Sequence, residues 1–203
     1  MSARDDILGT IRAQRVRGTD RPAQYVPPAP PADLVTTFAE RAAAINADIR
    51  ILDSAREIPA AVADLLRGKN LPAEIHIAPG ADATELGALT VKRTPPGPDD
   101  AALTTVPFAV AETGTLAYPA APANPASWHF RAGLEIAVLR ASDILPHMEN
   151  VLARIKTNGA LPHTINFVTG PSRTGDIEQT LELGAHGPKA LAILIVRELR
   201  ADG

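Results

Sequence analysis

The sequence feature that most constrains the fold is a late apolar run, Ala190 to Val196, with the sequence ALAILIV. It shows no alternation of polar and apolar side chains, so it does not look like a strand with one face in water. A continuous run rich in Ile, Leu and Val is typical of a strand buried on both faces, as in parallel sheets. We therefore expect this segment to be the last strand and a central one.

Helix and strand patterns alternate in the first half of the chain, which implies right-handed crossovers and a parallel sheet. Aromatic residues make up only 3% of the chain, so Ala, Val, Ile and Leu must fill the core. That composition suits a mostly parallel α/β sheet with helices on both faces. The predicted elements are a helix on Leu34, Val35, Phe38, Ala42 and Ile45, a strand at 49–52, a helix from Pro59 to Gly68 and a strand at 74–78.

The second half predicts further strands and one long helix. Asp99 and Asp100 have the character of caps for a short helical turn, and Ser142 or Asp143 can begin a helix that runs to about Lys156 with Ile144 on its inner side. The predicted strands lie at 108–112, 116–118, 135–139 and 163–169, in addition to the last strand.

The first 32 residues are predicted to form an arm in front of a domain at 33–203. Ile7, Leu8 and Ile11 give an N-terminal helix one apolar stripe, which needs a partner surface. Residues 17–31 are rich in proline and predict an extended tether. The arm can pack on its own domain or on a neighbouring subunit, which makes a homo-oligomer one of the possible arrangements.

Charge and composition exclude several classes of function. The net charge of −3 offers no basic surface for a phosphate backbone, so nucleic acid is not an expected partner. The chain has no cysteine, which excludes disulfides, thiol catalysis and Cys-ligated metal clusters within it. The histidines lack metal-ligand spacing, so no metal site is predicted. No secretory signal or membrane span is recognisable, and a cytoplasmic location is the expectation.

Two strand-end loops carry the first candidate site residues. Gly170-Pro171-Ser172-Arg173-Thr174 follows a predicted strand, and Thr174 is expected to start a helical turn with Ile177 and Glu178. A helix start beyond the carboxyl end of a strand, with an arginine beside it, favours binding of a carboxylate or phosphate. A capped turn with a surface arginine fits the same pattern.

The second loop, Glu112-Thr113-Gly114-Thr115, ends an apolar strand on a carboxylate. Burial there would set the pKa of Glu112, as in catalytic carboxylates, while Gly114 would allow a close backbone approach. A hairpin turn whose glutamate caps N–H groups or pairs with an arginine is the alternative. A third loop places His186 between glycines, with Gly187 and Lys189 after it, where a histidine can move a proton or simply be solvated.

Taken together in this order, AETGT at 111–115, GPSRTGDIE at 170–178 and GAHGP at 184–188 resemble the lactate utilization protein C family, the LUD-domain proteins. The resemblance covers roughly residues 49–199. It implies a fold similar to the ribose-phosphate isomerase and CoA-transferase group. It also implies a role in bacterial oxidation of L-lactate to pyruvate, beside partner subunits that carry iron–sulfur clusters.

Three functions remain open on the sequence. The first is a non-redox component of lactate oxidation that binds a small carboxylate or phosphate and holds no cofactor of its own. The second is a stand-alone transferase or ligase on an acyl-CoA, a sugar phosphate or a folate-like substrate, with Glu112 as nucleophile or base by analogy with related CoA-transferases. The third is an interaction module that docks through the N-terminal arm.

Overall fold

A computed structural model of the protein describes residues 3–14, 23, 25–81, 86–157, 159, 161–175, 181–183 and 187–198, with backbone alone at 173–175, 181–183 and 198. The α-helices of the described residues are α1 (Ala3–Ala13), α2 (Leu34–Ala44), α3 (Ile58–Gly68), α4 (Ser127–Phe130) and α5 (Met148–Thr157), and short 3-10 helices lie at Ala55–Glu57 and Ala141–Asp143. The strands are β1 (Asp48–Ser54), β2 (Glu74–Ile77), β3 (Thr90–Lys92), β4 (Ala101–Val106), β5 (Phe108–Val110), β6 (Thr115–Pro119), β7 (Leu134–Arg140), β8 (Ile144–Leu145), β9 (Ile165–Val168), β10 (Arg173–Gly175), β11 (Leu181–Leu183) and β12 (Ala190–Glu198).

The main sheet has six strands in the order β1-β12-β7-β4-β2-β3, and every neighbouring pair is parallel. The apolar strand β12 lies between β1 and β7, which confirms the central position expected for it. In this register Ile193 is level with Ile49 on one side and with Ala137 on the other. The predicted mostly parallel α/β fold is confirmed.

The two faces of the main sheet are covered differently. On one face, α3 packs Val62 and Leu65 into the same core as Leu194 of the sheet. On the other face, α2 packs Phe38 and Ala42 into a core with alternate residues of β12. Helices therefore lie on both faces, because neighbouring side chains along a strand point to opposite sides.

A second, four-stranded sheet shares the α2 face, with the order β8-β5-β6-β9. Leu116 and Val168 from this sheet lie in one core cluster with Ile193 of the main sheet. The hairpin predicted at 108–112 and 116–118 is confirmed as β5 and β6, which pair antiparallel. Its grouping with β8 and β9 was not predicted, because that grouping depends on packing between distant segments.

Two element predictions between residues 99 and 156 were wrong. No helical turn follows Asp99 and Asp100; instead β4 begins at Ala101 and runs as an interior strand between β2 and β7. Its residues are almost all buried, and its two threonines are β-branched, which favours a strand. The helix expected from position 142 or 143 begins only at Met148, because Ile144 and Leu145 pair with β5 before Pro146.

The N-terminal helix makes no buried contact among the described residues. In α1 the apolar stripe stays open to solvent, with Ile7 60% exposed and Ile11 61% exposed. The proline-rich segment behind it does touch the domain, because the Pro28 carbonyl lies 3.0 Å from Nε2 of His147. Of the helices in the described residues, none is both long and apolar enough to cross a bilayer.

Candidate functional site

The two predicted loops lie side by side and are joined by a chain of threonine hydroxyls. Oγ1 of Thr113 lies 2.7 Å from Oγ1 of Thr115, and the latter lies 2.9 Å from Oγ1 of Thr169. Thr169 directly precedes Gly170, so the chain links the end of β9 to the β5–β6 turn. The structure therefore brings together two segments that are more than fifty residues apart in sequence.

Both loops also press against α2 through a glycine. A Cβ on Gly114 would lie 2.5 Å from the backbone nitrogen of Ala42, and one on Gly170 would lie 2.7 Å from the carbonyl oxygen of Ile45. Their φ angles of +67° and +77° lie in the left-handed region that glycine tolerates best. Gly114 thus permits the close backbone approach expected of it, and α2 is the shared support of both loops.

Beside these loops is an open cleft of about 520 Å³. Its walls come from the segment that leads into β1, from Phe130, from the end of β9 with the following loop, and from Gly187 and Pro188, which lead into β12. The cleft therefore lies at the amino edge of the main sheet. The expectation of a site beyond the carboxyl ends of parallel strands was wrong, because the strand that leads into Gly170 belongs to the second sheet.

The Gly170 and Gly187 loops are in direct contact. The backbone N–H of Ser172 donates to the carbonyl of Pro188 at 2.9 Å, and a Cβ on Gly187 would lie 3.2 Å from Cβ of Ser172. Thr169, Gly170, Ser172 and Gly187 accordingly share one wall of the cleft. The Gly170 and Gly187 loops therefore lie next to each other, as the sequence suggested.

The segment after Ser172 is a strand and not a helix start. Arg173–Gly175 pairs antiparallel with Leu181–Leu183, so the helical turn expected from Thr174 was wrong at that residue. Asp176, Ile177 and Glu178 lie outside the described residues, as does His186. The roles predicted for Arg173, Thr174 and His186 stay predictions.

Lys189 is held by an ion pair away from the cleft lining. Its ammonium lies 2.8 Å from Oδ1 of Asp99, and both side chains are well exposed. An exposed pair of this kind contributes little to stability. Lys189 is therefore placed to join the loop before β12 to the loop before β4.

Glu112 faces α5 and does not line the cleft. Its Oε2 lies 2.7 Å from Nδ1 of His147, and its Oε1 accepts a long hydrogen bond of 3.4 Å from the backbone N–H of Met148 at the start of α5. On the other side of the ring, Nε2 must donate to Pro28, since a carbonyl only accepts. The alternative of an N–H-capping glutamate is therefore observed, with a histidine as its side-chain partner instead of an arginine.

The His147 ring therefore binds two acceptors and is suited to the imidazolium form. The hydrogen bond to Glu112 raises the pKa of His147 above its usual 6.5, and the charge of Glu112 adds to this, while desolvation opposes it. The sequence offered no spacing signal for this pair, because the two residues meet only where β8 pairs with β5. The arm segment at Pro28 completes the arrangement.

Replacing Glu112 with glutamine is expected to lower the pKa of His147 toward 6.5, because the strongest contact to its cation is weakened. In the wild type the contribution of this pair to stability is fully present below pH 6.5 and is lost as the pH rises through the raised pKa. An NMR titration of the His147 ring protons measures the shift. Glu149→Gln is the matched control, since the charge of Glu149 raises this pKa less than Glu112 does, and its effect should be smaller. Equal effects of the two variants would contradict the pairing.

A second polar group, fully buried, was not predicted from the sequence. Oε1 of Glu135 accepts hydrogen bonds from Thr104 and Tyr118, each at 2.8 Å, while its Oε2 has no partner among the described residues. His129 stacks on the Tyr118 ring at 4.2 Å. Burial raises the pKa of Glu135 from 4.5 to about 8 and lowers the pKa of His129 to about 4. The one signal in the sequence was a carboxylate inside the otherwise apolar run LEIAVL.

Comparison with known proteins finds a family match for the second half of the chain. Residues 99–196 match the LUD domain. This segment includes both loops, the cleft wall formed by Thr169, Gly170, Ser172 and Gly187, and the buried Glu135. The resemblance predicted from the sequence is thereby confirmed for the second half of the chain.

Curated relatives and one solved structure extend this finding. Lactate utilization protein C of Geobacillus kaustophilus is 34% identical over 93 residues, which are 44% of this chain and 39% of the relative. The protein of the same name in Bacillus licheniformis is 36% identical over 93 residues, which are again 44% of this chain and 39% of the relative. The match thus spans about two fifths of these relatives' length. A DUF162 family protein from Deinococcus radiodurans shares the fold, with a TM-score of 0.59, 21% identity, and coverage of 83% of this chain and 99% of that one.

Proposed function

We propose that this LUD-domain protein takes part in lactate utilization as a non-redox component of L-lactate oxidation. The observation that carries the proposal is the match of residues 99–196 to the LUD domain, together with relatives named lactate utilization protein C over the same region. Because the chain lacks cysteine, it offers no thiolates for a cluster, so we assign the electron transfer to iron–sulfur partner subunits.

We further propose that the cleft binds a small carboxylate such as lactate or pyruvate. Its volume of about 520 Å³ falls in the range of roughly 300–1,000 Å³ that is common for small-molecule sites. Thr169 and Ser172 supply hydroxyl groups at the wall, but no lysine or arginine is among the lining residues that the structure describes. Arg173 follows Ser172 directly and is our candidate for the bidentate, charge-assisted contact to the carboxylate.

The geometry gives less support to Glu112 as a nucleophile. Both of its oxygens already accept hydrogen bonds, and one of them faces the imidazole of His147 at 2.7 Å. A carboxylate stabilised in this way is a weaker nucleophile than a free one. The acyl-CoA, sugar phosphate or folate-like enzyme therefore ranks second, and trapping of a modified Glu112 by mass spectrometry tests it.

The partner assignment is tested by isolating the tagged protein from its own cells during growth on lactate. Co-purification of iron–sulfur proteins, identified by mass spectrometry and by iron content, is the expected result. A strain without the chain should lose growth on L-lactate and keep growth on pyruvate. Normal growth on L-lactate would contradict the proposed role.

Replacing Arg173 with alanine is expected to weaken binding of pyruvate or lactate by at least about tenfold, since a hydrogen bond to a charged group contributes about 1.5–3 kcal/mol. Isothermal titration of the two acids into the purified chain measures this. Arg56→Ala is the matched control, because Arg56 is exposed and follows the carboxyl end of β1, at the opposite edge of the sheet. Unchanged affinity in Arg173→Ala would remove the arginine from the site, and no binding by the wild type would remove the ligand.

A further inference from the structure

Another polar cluster lies on the β2–β4 side of the main sheet. Glu74, His76 and Asp100 each present one ligand-type atom, and these atoms all lie within 4.8 Å of one another. None of the three lines the cleft. The cluster is therefore separate from the proposed lactate role, and its chemistry is independent of that role.

The strand register explains why these three side chains meet. Glu74 and His76 are two residues apart on β2, so they point to the same side of the sheet. His76 pairs with Ala102 on β4, which places Asp100, two residues earlier, level with Glu74. The sequence spacing alone could not reveal this, because the third residue directly precedes a neighbouring strand, β4.

The hydrogen bonds of His76 leave one ring nitrogen available for a ligand. Nδ1 lies 2.7 Å from the carbonyl oxygen of Thr94, which only accepts, so Nδ1 carries a hydrogen and Nε2 is the nitrogen that can offer a lone pair to a metal ion. The side chain is 6% exposed, and its Nε2 is buried without a hydrogen-bond partner among the described residues. That nitrogen lies 3.4 Å from Oδ2 of Asp100 and 4.0 Å from Oε1 of Glu74. The two carboxylates and this nitrogen thus surround a position that favours a cation.

We propose that Glu74, His76 and Asp100 bind a divalent transition-metal ion, with Zn²⁺ as the representative. One imidazole nitrogen and two carboxylate oxygens form a mixed N/O donor set of the kind such ions accept. Metal–ligand bonds of about 2.0–2.2 Å place neighbouring ligand atoms roughly 3–3.5 Å apart, and the His76–Asp100 distance already has this value. Oε1 of Glu74 lies 4.0 Å from Nε2 of His76 and has to approach that nitrogen by roughly 0.5–1 Å to join them.

Groups around the three ligands support this assignment. The hydrogen bond from Nδ1 of His76 to a backbone carbonyl is the contact that metal-bound histidines usually make on their second nitrogen. Oδ2 of Asp100 accepts from the N–H of Gly97 at 2.7 Å, which orients that carboxylate. The side chains of Glu74 and Asp100 are partly exposed, so an ion can enter from the solvent side.

Lys92 is the internal competitor of the ion. It is level with His76 on β3, and its ammonium forms an ion pair with Oε1 of Glu74. A metal ion must displace this ammonium from the carboxylate. Removing the lysine charge should therefore tighten metal binding, a result that a simple surface salt bridge would not produce.

The test is titration of the full-length, chelator-treated protein with Zn²⁺ by calorimetry, and with Co²⁺ by absorption spectroscopy. We expect one saturable equivalent in the wild type. Asp100→Asn should weaken Zn²⁺ at least about tenfold, His76→Gln should abolish saturable binding, and Lys92→Met should strengthen it. His163→Gln removes an exposed histidine elsewhere and should change nothing.

Circular dichroism shows whether His76→Gln folds. If it does not, Asp100→Asn still tests the proposal, because Asp100 is partly exposed. The proposal is overturned if the wild type shows no saturable metal binding. It is also overturned if Asp100→Asn binds as tightly as His163→Gln. Unchanged affinity in Lys92→Met removes Glu74 from the ligand set and overturns the three-ligand site.

Discussion

Replacing Glu135 with glutamine is expected to stabilise the protein at high pH. The gain in the free energy of unfolding from Glu135→Gln should be larger at pH 8 and above than at pH 4, by roughly 3–5 kcal/mol. The cause is the burial of a carboxyl group whose hydrogen-bond partners are two neutral hydroxyls. Burial raises its pKa from 4.5 to about 8, so the folded protein holds a proton that the unfolded chain releases. Between these pH values the wild type loses about 1.4 kcal/mol of stability for each unit of pH.

The glutamine keeps the acceptor of this site. Its carbonyl oxygen can take the place of Oε1 and accept from Thr104 and Tyr118, while its amide takes the position of Oε2, which lacks a partner among the described residues. The variant should therefore differ little from the wild type at low pH, where Glu135 is neutral. His129 works in the opposite direction, because its lowered pKa makes stability rise with pH between about 4 and 6.5.

Urea unfolding of both proteins across pH 4 to 9 measures the effect, since the difference between the two profiles removes the contribution of His129. Glu40→Gln, on the exposed side of α2, is the control, and its free energy of unfolding should change with pH in parallel with that of the wild type. Parallel profiles for Glu135→Gln would show that Glu135 is ionised in the folded protein at neutral pH, contrary to the expectation.

Gly114→Ala is expected to cost about 2–5 kcal/mol of stability and to disturb the cleft. A left-handed φ costs a residue with a side chain about 1–2 kcal/mol. Overpacking adds about 1–3 kcal/mol, because the new methyl group would lie 2.5 Å from the backbone nitrogen of Ala42. Backbone atoms of a helix cannot move aside as a flexible side chain can.

The matched control is Gly87→Ala. Gly87 has a similar φ of +63°, but a Cβ there would meet nothing within 4 Å. Gly87→Ala should lose only the stability that a left-handed φ costs a residue with a side chain, about 1–2 kcal/mol. Urea unfolding compares the two variants, and equal losses would show that the β5–β6 turn is not pressed against α2. A shift of α2 should also weaken ligand binding in Gly114→Ala, because Gly170 rests against the same helix at Ile45.

Much of the fold could be predicted from patterns between residues that are close in sequence. The apolar run at 190–196 predicted a central strand, and the alternation at 34–78 predicted a parallel sheet; both are confirmed. The predictions failed where polar residues directly precede a strand, as at Asp99 and Asp100, and where two residues before a proline pair with another strand, as at Ile144.

The candidate site was predictable to a smaller extent. Gly114 and Gly170 were visible as loop residues, and the structure joins their loops through Thr115 and Thr169. His147 could not be found as the partner of Glu112, because thirty-five residues separate them and no motif connects them. The same holds for Glu135 and its hydroxyl partners, which come from β4 and β6.

The sequence by itself determined the class of the sheet, the identity of its buried central strand, and the loops and motifs that mark a LUD domain. These properties depend on local periodicity, turn residues and composition, which can be read from residues close together in the sequence. Tertiary structure alone decided that the Gly170 loop lies at the amino edge of the main sheet, that Glu112 pairs with His147, and that Asp100 joins Glu74 and His76. Each of these depends on which distant strands pack side by side and in which register, and buried area and backbone hydrogen bonds settle that choice only for the folded chain as a whole.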